Sequence, residues 1–227
     1  MNGNTPPRSR PIWPWLLGGC LFVIAILAAG AVLLWRYGTR KLTSAIEERA
    51  TNPRLRAETA RKMLGAKALP RGYYPVSATF EIPLLTHVCL SDRAPDERGG
   101  VFGYDKRGFV FTESLHAASS LPIEKFFRGD ADAPADAEII DVHLRAGEEV
   151  RRGVIETTGQ KIHYRVVRGR VEEDDVAVNG LLALMLIDCP GRKKERTAVW
   201  FGPEGSEVAD ENAIRAFMSH FELCRAR

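Results

Sequence analysis

Between Trp13 and Trp35 the chain runs for 23 residues, WPWLLGGCLFVIAILAAGAVLLW, without one charged side chain. A helix of that length rises about 34 Å, enough to cross a hydrocarbon core of roughly 30 Å. Trp13 and Trp15 at one end, with Trp35 and Tyr37 at the other, match the aromatic belts of membrane interfaces. Residues 13–35 are therefore expected to form a transmembrane helix held in the lipid bilayer. This divides the chain into a tail (1–12), the span (13–35), a basic helical connector (36–71) and a globular portion (72–227).

The tail, MNGNTPPRSRPI, has no apolar periodicity and is expected to be disordered. Leu17-Gly18-Gly19-Cys20 resembles the lipobox of bacterial lipoproteins, but there the apolar region precedes the Cys, whereas here most of it follows. The run also exceeds the usual signal-peptide core of about 7 to 15 residues, which favours an uncleaved anchor. Counting flanking charges slightly prefers the domain inside, since Arg36, Arg40, Lys41 and Arg49 follow the span while Arg8 and Arg10 precede it. Against this, the Arg-, Ala- and Gly-rich usage reads as bacterial, where a short basic tail before a single span most often stays inside. The expected place for the domain is the extracytoplasmic side.

The net charge of +3 hides an asymmetry: residues 1–12 carry +2, residues 36–71 carry +7 and residues 72–227 carry −6. Cations crowd the membrane-proximal region, where anionic headgroups attract them. The mildly acidic globular part gives no footprint for nucleic acid. An unidentified protein or envelope component is the expected partner.

In the connector, Leu42, Ile46 and Ala50 recur at helical spacing, and Asn52-Pro53 reads as N-cap and first turn of a second helix. Ala57, Ala60 and Leu64 line one face of it, and Gly65 can close it. The favoured reading of 36–71 is a solvated spacer rather than an interfacial stalk. Alternation then takes over. Val76, Ala78, Phe80 and Ile82 are expected on one face of a strand, with 84–91 as its antiparallel return. Val101–Tyr104 and Gly108–Ser114 flank Asp105-Lys106-Arg107-Gly108 as a hairpin, and Pro122–Arg128 reads as a short helix. Ile140, Val142 and Leu144 mark another strand. Val150–Thr157 and Gln160–Arg168 form the clearest hairpin, with Ile162, Tyr164 and Val166 on one face. Leu181–Ile187 is apolar throughout, as a central strand covered on both faces requires, and Thr197–Phe201 returns beside it. Asp210 caps a last helix whose Ile214, Phe217, Met218 and Phe221 make an apolar stripe. The fold class is α+β: a mainly antiparallel sheet of seven or eight strands with the C-terminal helix packed on it.

No phosphate loop, dinucleotide fingerprint, nucleophile elbow or HExxH occurs. The four cysteines, Cys20, Cys89, Cys189 and Cys224, lack zinc-site spacing, so no metal or cofactor is expected. In an oxidising compartment Cys189 and Cys224 are the preferred disulfide pair; three buried free thiols are the alternative. His87, His116, His143, His163 and His220 are scattered along the chain. His143 and His163 fall on the polar phases of their strands, where Asp141 or Glu156 could complete an acid/base pair, although solvent-facing residues are the simpler reading. Cys189 is the candidate nucleophile, but the preceding Asp188 opposes thiolate formation and favours a structural role. Arg151-Arg152 and Arg192-Lys193-Lys194 could grip an anion, with solvation again the simpler reading; Arg168 and Arg170 decide nothing. No catalytic, cofactor-binding or metal-binding residue is assigned. The functional expectation is a membrane-anchored, non-catalytic binding domain, with an anchored enzyme using a cysteine or a His/carboxylate site as the alternative.

Overall fold

The computed structural model describes residues 52–81, 85–96, 103–115, 136–139, 142–157, 159–173, 176–191 and 194–224 of the 227. The expected span 13–35, the tail, the helix expected near Ile46 and the one expected at Pro122–Arg128 lie outside the described residues. Among the described residues no helix is long and apolar enough to cross a membrane.

Helix α1 (Pro53–Leu64) starts and stops where its end signals predict. The Asn52 side chain accepts the N–H groups of Arg54 at 3.1 Å and Leu55 at 3.4 Å, and Gly65 ends the helix at φ 62°. A side chain at Gly65 would also stand 2.5 Å from the Glu222 carbonyl oxygen, so this position requires glycine twice over. The buried stripe is Arg56, Ala60, Met63 and Leu64 rather than one centred on Ala57. Ala60, Met63 and Leu64 join the core under the sheet, so this part of the connector is built into the domain.

Among the described residues eight strands pair antiparallel: β1 (Tyr74–Glu81), β2 (Leu85–Ser91), β3 (Gly108–Leu115), β4 (Asp136–Ile139), β5 (Val142–Thr157), β6 (Gln160–Glu173), β7 (Val176–Asp188) and β8 (Lys194–Gly202). Their order is β1-β2-β3-β8-β7-β6-β5-β4. With α2 (Glu211–Met218) packed on one face, this is the expected α+β class. Strand β7 is central, and its side chains alternate between two cores. Leu181, Ala183, Met185 and Ile187 enter the helix-bearing core; Leu182 and Leu184 pack on the opposite face with Val110, Val199 and Phe201. The β5–β6 hairpin turns at 158–159, where Gly159 takes φ 73°, and Ile162, Tyr164 and Val166 share the helix-bearing core as expected.

Two expectations are corrected. The hairpin at Asp105–Gly108 does not form: β3 pairs with β2 and β8, and no strand includes Tyr104. Tyr104 is instead buried edge-on against Phe201 at 4.8 Å, while the N–H groups of Asp105 and Lys106 donate to the Asp92 carboxylate. Val76 does not share the face of Ala78, because a register shift between Pro75 and Ser77 turns it toward the opposite core. Of the strand expected at Ile140, Val142 and Leu144, the last two lie in β5 and Ile140 lies outside the described residues.

Phe217 of α2 is the hub of the main core. It stacks on Trp200 at 4.4 Å and 6°, and meets Tyr73 and Phe109 edge-on at 5.2 Å each. The Trp200 Nε1–H donates to the Tyr73 hydroxyl at 2.7 Å, so burying both aromatics strands no polar atom between them. The Tyr164 hydroxyl donates to Glu211 at 2.8 Å and ties the start of α2 to β6. Burial first, and then this bond to a carboxylate, push the Tyr164 phenol up to about 12; the same bond holds the Glu211 carboxyl below its usual range.

Replacing Phe217 by Ala removes the hub, and a loss of about 3–5 kcal/mol is expected by chemical denaturation of the full chain in detergent. Tyr164 ionises near 10 when unfolded but about 12 when folded, so its contribution is complete below pH 10 and is lost as the pH rises toward 12. Tyr164→Phe should flatten that alkaline decline in a thermal melt series, leaving the smaller part due to Tyr73, whose burial also raises its phenol.

Candidate functional site

The strongest concentration of chemistry lies where the β5–β6 hairpin, the end of β7 and the C-terminal segment meet. Cys189 follows β7 directly and is bonded to Cys224, with Cα atoms 5.2 Å apart. Joining residues 35 positions apart stabilises the fold by roughly 4 kcal/mol in the chain-entropy account. Beside the bridge, buried Gln160 acts as a clamp: its amide donates to the Phe221 carbonyl at 3.0 Å and accepts the Leu223 N–H at 3.1 Å. The Glu222 N–H donates to the Leu64 carbonyl at 3.2 Å, joining the same segment to α1.

A cavity of about 540 Å³ opens at this pole, lined by Glu156, Gln160, Lys161, Asp188, Cys189 and Pro190 among others. That volume is within the range of roughly 300–1,000 Å³ common for small-ligand sites. Lys161 lies opposite Glu156 on one neighbouring strand and Asp188 on the other, an acid–base–acid row across the sheet. The rim thus carries an ammonium and two carboxylates, and His163, outside the lining, brings its Nε2 to 3.7 Å from Asp188. Such a rim can hold a cationic or zwitterionic group. It presents no thiolate, because the Cys189 sulfur is committed to the bridge.

The structure disperses the histidines considered from sequence. His163 meets Asp188 rather than Glu156. His143 pairs with Glu172 and His163 with Val154, near opposite ends of the β5–β6 pairing. Nine residues of strand separate those positions, about 30 Å along the pairing. His116 lies outside the described residues, as do Arg192 and Lys193. His220 is exposed beside Phe221. Arg152 pairs with Glu149 at 2.7 Å, Arg168 with Glu148 and Glu204 at 2.7 and 2.8 Å, and Arg170 with Glu172 at 2.7 Å, which places these guanidiniums in surface ion pairs.

Two buried polar groupings escaped sequence reasoning. On β2 the Cys89 sulfur is 2.9 Å from His87 Nε2, with the residues 1% and 8% exposed. Thr112 and Thr197 continue the His87 row over β3 and β8. The available signal was the i, i+2 spacing, which puts both side chains on one face of any strand. At 1% exposure the thiol is enclosed, so the pair serves as a buried hydrogen bond rather than an open reaction centre. On the helix-bearing face, Glu113 bonds Arg196 at 2.7 Å and Lys194 at 2.9 Å, with the Glu113 and Arg196 side chains each 5% exposed. A buried carboxylate demands such partners, and removing one alone leaves an uncompensated charge. No sequence spacing links Glu113 to residues some eighty positions later.

Comparison with protein-family models and with curated proteins finds no match for this chain. The site's own residues must carry any functional reading.

Gln160→Ala leaves the Phe221 carbonyl and the Leu223 N–H buried without their partner, and each unpaired group costs about 1–3 kcal/mol. Faster hydrogen exchange at the Leu223 amide, alongside lower stability in denaturant, is the expected result.

Proposed function

We propose that this chain is a single-pass membrane protein, anchored in the bilayer through residues 13–35, whose α+β domain lies on the extracytoplasmic side and binds a partner without turning it over. The observation that carries this reading is the Cys189–Cys224 bridge. Disulfides persist in oxidising compartments and are rare where thiols are kept reduced, so a bridge that fastens the C-terminus to the sheet supports an exported domain. The same bond occupies the sulfur that a cysteine mechanism would use at this pole. What remains at the cavity is a rim of mixed charge, suited to a protein or envelope component that presents an amine or a zwitterionic group beside a small apolar body.

A second reading, an anchored enzyme with an acid/base pair, is favoured by one observation: His163 approaches Asp188, a residue of the rim, to 3.7 Å. It predicts that His163→Gln abolishes turnover while leaving partner capture intact. In the binding reading no turnover exists to be lost.

Labelling of intact cells with a membrane-impermeant maleimide tests placement. Cys189 and Cys224 should label only after an impermeant reductant, and Cys89, 1% exposed, only after denaturation. Exposed Ala216→Cys serves as the accessible control. Labelling of that control only after lysis would place the domain inside and overturn the proposal.

A further inference from the structure

Helix α1 has two opposed faces. Arg56, Ala60, Met63 and Leu64 are buried, and three of them are in the domain core. Arg54, Glu58, Arg61 and Lys62 repeat the same spacing two residues earlier, which turns them by about 200° around the helix, and all four are exposed. Lys67 and Arg71, just beyond the C-cap, are exposed as well. This surface carries five cations against one carboxylate. None of the five cations forms a side-chain hydrogen bond or ion pair among the described residues, whereas Arg152, Arg168, Arg170 and Arg215 on the sheet and α2 each meet a carboxylate within 3.0 Å. Four arginines elsewhere in the domain have close carboxylate partners, while this basic face has none among the described residues.

The partner can be argued from charge and from the length of chain. Residues 36–71 carry +7 while residues 72–227 carry −6, so an anionic surface attracts one side of this molecule and repels the rest. Seventeen residues separate Trp35 from Pro53, and Arg36, Arg40, Lys41 and Arg49 among them add to the positive field. Fully extended, that linker spans at most about 60 Å, so an anchor at 13–35 would confine α1 to within that reach of the headgroups.

We propose that the exposed face of α1, together with Lys67 and Arg71, docks on an anionic lipid surface and so sets how the domain stands over the bilayer. The inference rests on the anchor reading of residues 13–35. It makes α1 an adaptor: one face is part of the core and the other lies on the headgroups, so the cavity beside the disulfide is presented in a fixed attitude rather than on a swivelling tether. Cations scattered along an open helical face suit a sheet of lipid phosphates, which offers charge at every point, better than a single anion requiring a pocket.

The test uses the full chain in lipid nanodiscs, in which both leaflets are accessible. Acetylation of individual lysines is followed by mass spectrometry in discs of phosphatidylcholine alone and in discs with roughly 30% phosphatidylglycerol. Lys106 and Lys161, exposed elsewhere, are the internal references. In the anionic discs Lys62 and Lys67 should react at least about threefold more slowly relative to the references, and salt of about 0.5 M should erase the difference. The triple variant Arg54→Gln, Arg61→Gln, Arg71→Gln, whose changes are all at exposed side chains, should reduce that protection. Equal relative rates in both kinds of disc overturn the docking proposal and leave the anchor intact. Failure of the chain to enter neutral discs at all overturns the anchor reading and the docking proposal with it.

Discussion

Strand β7 is apolar on both of its faces, and this one constraint shapes the domain. A half-buried strand can leave its polar side in water, but Leu181 to Ile187 offers no such side, so the sheet must be covered above and below. On one face the cover comes from α1, α2 and the C-terminal segment, with the Phe217–Trp200 stack at its centre. On the other, Tyr104 folds over Phe201 and a smaller core gathers around Val110, Val199 and Leu182. The central position of β7, between β6 and β8, follows because only there do neighbouring strands and two layers of side chains remove it from water.

Cover by a short helix demands that the chain after it be fastened. Helix α2 has eight residues, too few to be stable alone, and its hold on the sheet is reinforced from outside. Tyr164 bonds Glu211 at its start; Gln160 and the Cys189–Cys224 bridge hold the residues that follow it. Three of these attachments spring from the β5–β6 hairpin or the end of β7. The cavity with its mixed-charge rim therefore sits on some of the most cross-linked ground in the molecule, which suits a binding surface whose geometry must be kept.

Charge is arranged on a different principle from the core. Over the sheet, Arg152, Arg168 and Arg170 each meet a carboxylate locally. Such exposed pairs contribute little to stability individually; their effect is to leave few cations available to other partners. The exposed face of α1 gathers five cations without such a partner among the described residues, and it belongs to the part of the described chain closest in sequence to the apolar stretch 13–35.

Rules that act over a few residues were legible directly. Period-two alternation marked β1, β5 and β6, the unbroken apolar run marked β7, and Asn52, Gly65 and Asp210 marked helix ends, because each reflects local geometry or the need of a strand to hide one face or both. The same locality explains the failures. Asp105 to Gly108 has turn chemistry, but β3 gains more by pairing its apolar residues with β2 and β8 than with four residues ending at Tyr104, so the turn residues became part of a loop. The shift at Val76 depends on pairing with Leu90 and Cys89, which no pattern within β1 reveals. At the candidate site, the bridge between Cys189 and Cys224 was the preferred pairing from the cysteine inventory, while the Gln160 clamp and the His163–Asp188 approach were not legible, because they join segments distant in sequence. By itself the sequence determined the elements, their class and an apolar stretch long enough to span a bilayer, since these depend on spacing along one segment. Strand order, the enclosure of Cys89, the union of α1 with the core and the gathering of charges at the cavity were decided only by tertiary structure, because they depend on which distant segments share burial best.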